Sequence, residues 1–332
     1  MIASTIGISA TNVKTAPEAI ALHEFVAKKK RSKQPRKLLL YMNLLRKKKM
    51  SNSSVTNYTV VITGATGGIG FHSALGIAKT RSDARIIITG RNKERGEAAQ
   101  KTIQMESGND AVEFIIADVS SLNGVDALSA DLCERLDRID VLINNVGYMG
   151  NKKVVNEDNI PLEFMVNVVA PRRLTMSVLP LLKAAGGKAR VLNISGGDKP
   201  AAIDVNNLFG EKGFRGLMTY THSKSILESL SIFMSKELEK EGITVNVIFP
   251  GRASTVMTRS LSFGGLPGPM KCFLCCFKCM FMEDNGKSAK AASKCTIFGA
   301  TSSSLDGVTG KYFGSTKGDT KEQKLHPTAY DP

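Results

Sequence analysis

Thr63-Gly64-Ala65-Thr66-Gly67-Gly68-Ile69-Gly70 decides how this chain reads, because of what stands on either side of it. A β-branched run, Tyr58 to Ile62, comes before it, and a helical pattern from about Phe71 to Lys79 follows. A glycine-rich turn that ends a strand and opens a helix has a physical use. Gly64 permits the tight turn, Gly68 lets the backbone approach a diphosphate, and Gly70 removes a side chain where helix and strand pack. The amides of the first helical turn then donate to the anion, with Thr66 and Ile69 in the same cradle.

Outward from this turn, apolar runs alternate with helix-length segments. They are Ala84 to Ile88, Val112 to Ile116, Ile139 to Ile143, Ala189 to Ile194, Ile243 to Phe249 and Lys311 to Phe313. With Tyr58 to Ile62 they make seven candidate strands. Most are continuously apolar, as strands covered on both faces by crossover helices must be. The expected architecture is α/β: a single Rossmann-type, doubly wound, seven-stranded parallel sheet with helices on both faces, spanning about 55–318. Residues 1–54 are expected to form a basic arm, and 319–332 a polar tail.

Charge supports that division. The first 50 residues carry 12 Lys/Arg against Glu18 and Glu24, and the remaining 282 carry 33 against 28. The net charge of +15 therefore belongs mostly to the arm, which could meet anionic lipid, nucleic acid or a transport receptor, and charge alone does not choose among them. A peripheral membrane contact is the expected partner rather than nucleic acid, and no run of 18 apolar residues exists, which excludes a spanning helix. Five of the six cysteines fall between Cys272 and Cys295, unlike a disulfide framework spread through a secreted chain, so a reducing intracellular compartment is expected. The four histidines show no metal-ligand spacing. Cytoplasm and the surface of an organelle membrane both remain open, as does organelle targeting.

Twenty residues past Gly70, where an acid would meet the ribose 2′-hydroxyl of NAD, stands Gly90, and Arg91 follows. A guanidinium pairs well with a 2′-phosphate, so NADP(H) is preferred and NAD(H) is left open. Tyr220 and Lys224 share one face of a helical segment running to about Glu241. A nearby ammonium favours the ionised phenol, so the pair can shuttle a proton to or from a substrate oxygen.

These motifs, in this order, resemble the short-chain dehydrogenase/reductase family over roughly Val60 to Phe313. Asp118-Val119 is similar to the family's adenine-contacting pair, and Asn144-Asn145-Val146-Gly147 to its Asn-Asn-Ala-Gly turn, with Asn145 and Gly147 at cofactor-binding positions. The resemblance assigns Asn167 to a water-mediated proton relay. It also gives Pro250, Gly251 and Thr255 to the turn that holds the nicotinamide carboxamide. Arg91 and Gly310-Lys311-Tyr312-Phe313 point toward the retinol dehydrogenase-like branch. That likeness implies a hydrophobic carbonyl or alcohol of the retinoid, steroid or lipid aldehyde class, and homo-oligomers.

One departure bears on chemistry. In Arg190-Val191-Leu192-Asn193-Ile194-Ser195-Gly196, Gly196 takes the place of the family's substrate-contacting serine, and Ser195 stands one residue early. Neighbouring strand side chains point to opposite faces, so Ser195 serves catalysis only if the strand end slips by one. The expected function is an NADP(H)-dependent oxidoreductase with catalytic residues Tyr220, Lys224, Asn167 and Ser195. The rival is a non-catalytic NADP(H)-binding protein. Residues 255–284 would cover the substrate. Within them the apolar stretch 272–282 suits burial or a lipid interface better than zinc, since Cys272 and Cys279 would lie about 10 Å apart along a helix.

Overall fold

The computed structural model describes residues 58–196, 202–210, 212–251, 288–316, 319–325 and 327–330. The basic arm, Thr255 and the cysteine-bearing stretch 272–282 lie outside the described residues. Strands β1 (Tyr58–Ile62), β2 (Ala84–Gly90), β3 (Val112–Ile116), β4 (Val141–Asn144), β5 (Arg190–Ile194), β6 (Thr244–Phe249), β7 (Tyr312–Thr316) and β8 (Asp319–Gln323) form one sheet. Its order is β3-β2-β1-β4-β5-β6-β7-β8. Every neighbouring pair is parallel except the last. The chain winds outward from β1 to one edge, returns to β4, and winds to the other, so the order reverses between β1 and β4. In such sheets the crevice beyond the carboxyl ends at that point receives the ligand.

Helices α1 (Gly68–Thr80), α2 (Lys93–Ser107), α3 (Leu122–Arg135), α4 (Leu162–Phe164), α5 (Ala170–Ser177), α6 (Leu179–Lys183), α7 (Gly216–Leu238) and α8 (Ala289–Thr301) supply the crossovers. The apolar strand runs divide residue by residue between two cores. Val61, Ile87, Leu142 and Val191 pack toward α3, α5 and α7. Val60, Ile62, Ile86, Ile88, Val141, Ile143, Leu192 and Ile194 pack toward α1, α2 and α8. Period-two alternation thus survives inside continuously apolar runs, because both faces are apolar.

The sheet has eight strands rather than seven. Asp319-Thr320-Lys321-Glu322-Gln323, expected in a polar tail, turns back and pairs antiparallel with β7, Tyr312 opposite Gln323. Its polar composition hid it: an outer strand needs no apolar face, and charge there discourages further strand addition. Lys311 and Glu322 join the two ends across 3.0 Å. Among the described residues, no helix is long and apolar enough to cross a membrane.

Candidate active site

The glycine turn sits at the carboxyl end of β1, and two close approaches explain its composition. Gly64 has φ +67, and a Cβ there would stand 2.7 Å from Val146 Cγ2. At Gly70 a Cβ would meet Asn145 Nδ2 at 2.5 Å and the Gly64 carbonyl oxygen at 2.8 Å. The turn is laced to the end of β4. Asn145 Nδ2 donates to the carbonyls of Thr63 (2.9 Å) and Gly64 (3.2 Å), and Thr63 Oγ1 accepts from the amides of Asn145 (3.0 Å) and Val146 (3.2 Å). Gly67 precedes α1 without any side chain to cap it, so the amides around Gly68, Ile69 and Gly70 stay available to an anion.

Around this cradle, the acid typical of an NAD site is missing for a visible reason: a Cβ at Gly90 would run into Thr66 Cγ2. Arg91 is exposed beside it. Arg95, in the first turn of α2, brings Nη2 within 3.4 Å of where a Gly67 Cβ would stand, a cation the sequence reading did not single out. It follows Arg91 by one helical turn, which was the available signal. Asp118 is exposed after β3 and accepts from the Ser120 amide at 3.0 Å, and Val119 beside it is buried. Pro250 is buried at the end of β6, and Gly251 turns the chain with φ +84. The uncapped amides of this turn fit the diphosphate of a nicotinamide dinucleotide, and Arg91 and Arg95 put two guanidinium groups near it.

The second constellation lies on α7. Tyr220 is 6% exposed, Lys224 2% and Glu228 3%, one turn apart on one face. Lys224 Nζ donates to the Ile194 carbonyl at 2.8 Å and lies 6.0 Å from the Tyr220 ring centre. Gly147 opens the opposite wall: a Cβ there would be 3.6 Å from Lys224 Nζ and 3.7 Å from Asn167 Oδ1. Asn167 is fully buried in a π-helical turn, Met165–Val169, between α4 and α5. Its Nδ2 donates to the Tyr148 carbonyl (2.8 Å) and to Ser223 Oγ (2.9 Å), and its Oδ1 accepts from the Tyr148 amide (2.8 Å). A π turn of this kind often marks a functional position, because it re-aims one side chain within a helix. Burial drives the Tyr220 phenol well above its ordinary range, with Glu228 adding to the rise. Burial also lowers Lys224 to about 8, against a smaller raising influence of Glu228.

The end of β5 faces this helix in a regular ladder. Asn193 Nδ2 donates to Ser231 Oγ at 2.8 Å, the Ser195 hydroxyl donates to Glu228 Oε1, and the Ile194 carbonyl accepts from Lys224. Beyond the last strand residue, a Cβ at Gly196 would collide with the Tyr220 hydroxyl. Ser195, expected to serve catalysis only after a one-residue slip, shows no slip: it is 3% exposed and its hydroxyl is engaged by Glu228 one turn below Lys224. Glu228 escaped the sequence reading, although its place four residues after Lys224 puts it on the same face.

The short chain dehydrogenase family model matches residues 58–263. Human retinol dehydrogenase 13 is 31% identical over 275 residues, covering 80% of this chain and 79% of that protein. Mouse retinol dehydrogenase 14 is 30% identical over 283 residues, covering 82% and 81%. Among solved structures, a Pseudomonas aeruginosa RhlG/NADP active-site complex is 26% identical with a TM-score of 0.60, covering 79% of this chain and 95% of that one.

Proposed function

From the premise that this chain belongs to the short-chain dehydrogenase/reductase family of oxidoreductases, we propose that it interconverts a hydrophobic carbonyl and its alcohol with NADP(H). The observation that carries this reading is the buried Tyr220–Lys224 pair, set against Gly147 and Asn167 on the side of the sheet where the glycine turn ends β1. Gly64, Thr66, Gly68, Ile69 and Gly70 would cradle the diphosphate, Arg91 and Arg95 the 2′-phosphate, Asp118 and Val119 the adenine. Asn145 fixes the turn, Lys224 would reach the ribose, and Pro250, Gly251 and Thr255 would bound the nicotinamide.

The cofactor, when bound, supplies the hydride that a carbonyl carbon accepts. Tyr220 gives its phenolic proton to the carbonyl oxygen, and the charge left on the phenol is stabilised by the Lys224 ammonium. Asn167, holding the Tyr148 carbonyl beside Ser223, keeps the inner end of the relay in place. In the alcohol-oxidising direction the same groups run backward. The retinol dehydrogenase relatives support an apolar substrate of the retinoid kind, and a steroid or lipid aldehyde is proposed beside it on the same apolar chemistry.

The test is NADPH consumption with all-trans-retinal, a steroid ketone and a long-chain aldehyde, beside NADPH fluorescence titration. Tyr220→Phe is expected to lose about 10²- to 10⁴-fold in turnover while binding NADPH as before. Unchanged turnover would end the mechanism.

A second reading, an NADP(H)-binding protein without turnover, is favoured by the glycine at 196 and the engagement of Ser195 by Glu228. Parental turnover separates the two readings, because a side chain at 196 would displace the Tyr220 hydroxyl in either case. NADPH consumption by the unsubstituted protein on that panel removes the non-catalytic reading, and NADPH binding without consumption favours it.

A further inference from the structure

Glu228 is a buried acid that the proton shuttle described above does not use. It stands one helical turn beyond Lys224 and two beyond Tyr220, 3% exposed, with one carboxylate oxygen accepting from Ser195. Burying a carboxylate without compensation is costly, and so is burying an ammonium. Here the two are held a turn apart, each tied to a different residue at the end of β5: the carboxylate to the hydroxyl of Ser195, just past the strand, and the ammonium to the Ile194 carbonyl. A surface acid on α7 would gain nothing from such anchoring.

We propose that Glu228 is a positioning residue that keeps Lys224 protonated inside the site, with Ser195 acting as its anchor on the strand. This inference rests on the oxidoreductase reading for its purpose, though not for its physics. The charged group acting on Glu228 is Lys224, and the hydroxyl facing it from just past β5 is that of Ser195. Tyr220 shares its helix face, and Asn193 on β5 reaches past it to Ser231. Burial raises Glu228 to about 7, opposed by the Ser195 bond and by Lys224. It is therefore increasingly ionised across the neutral range, where Lys224 must keep its proton. A negative charge raises the proton affinity of every neighbour, so Glu228 holds the proton on Lys224 and on Tyr220 alike. Serine at 195 thus keeps a role one step away from the substrate, in place of the direct contact that Gly196 cannot make.

The experiment reads Lys224 itself. Full-length protein labelled with ¹³Cε-lysine is titrated by NMR without cofactor or substrate, with Lys224→Met identifying the resonance. The native midpoint is expected near 8. Glu228→Gln preserves shape and the Ser195 contact, and should lower that midpoint by about one pH unit. Glu228→Asp keeps the charge and should stay closer to the native value. A purely structural glutamate predicts lower thermal stability in both variants with no movement of the midpoint, and that result would overturn the proposal. In NADPH-dependent reduction of all-trans-retinal, the alkaline limb should move to lower pH in Glu228→Gln by a similar amount. A moved midpoint in a protein that neither binds nor consumes NADPH would instead remove the oxidoreductase reading and leave the pairing standing.

Discussion

Single residues at the ends of strands carry most of the chemical information. Gly64, Gly70 and Gly90 are each required by a named neighbour, and the first two were readable because a strand-turn-helix context restricts what glycine is for. Tyr220 and Lys224, singled out by their spacing together with the glycine turn upstream, lie buried on one face of α7, and Asn167, singled out by the family likeness, lies buried in the π turn. Glu228 was not singled out, since an acid on an amphipathic helix ordinarily belongs to the solvated face, and only the Ser195 contact across the β5 end shows otherwise. Arg95 was passed over for the opposite reason, because Arg91 already satisfied the expectation of one guanidinium. The two arginines give a direct prediction. A charge-assisted hydrogen bond to a phosphate, moderated by solvent, is worth about a factor of ten in affinity at such a site. Arg91→Ala and Arg95→Ala should each raise the NADPH dissociation constant by about tenfold in fluorescence titration and leave that for NADH within twofold; equal weakening of both cofactors would remove these residues from the 2′-phosphate.

At the scale of elements, apolar runs predicted β1 to β6 to within two residues because each of these runs is covered on both sides, whereas β7 extends three residues beyond its run, to Thr316. Pattern failed where packing rather than hydrophobicity makes the element. The π turn at Met165–Val169 carries no local signal, since its sequence, Met-Val-Asn-Val-Val, is an ordinary buried helical stretch. Strand β8 is polar and owes its conformation to the β7 edge. Its attachment is reinforced just beyond it: Leu325 and Ala329, both 5% exposed, pack with Ile232 of α7, Val247 of β6 and Tyr312 of β7. The chain end is thereby fastened to the helix that bears Tyr220. Leu325→Ala should cost about 2–5 kcal/mol in denaturant unfolding, the usual price of a core truncation. A loss below about 0.5 kcal/mol, the scale of surface changes, would show that the end of the chain is not part of this core.

For the molecule as a whole, the candidate site is where parts of the chain distant in sequence converge: the β1 turn, the β4 end, the β5 end, the π turn and α7. Asn145 spans more than 80 residues to hold the glycine turn, and Lys224 spans 30 to hold β5. A dinucleotide laid across the carboxyl edge of the sheet therefore bridges both windings, and its binding must stabilise the whole unit rather than one loop. At a hundredfold excess over its dissociation constant, such a ligand adds about 2.7 kcal/mol. In a domain of this size that corresponds to a rise in Tm of roughly 5–10 °C. NADPH should produce a single cooperative shift of this order, and NADH at the same concentration a smaller one. Gly70→Ala should abolish the NADPH shift, because a Cβ there drives Asn145 and the Gly64 carbonyl out of the cradle. A wild-type transition that NADPH leaves unmoved would mean that the turn at the head of the sheet grips no nucleotide, and the oxidoreductase reading would fall with it.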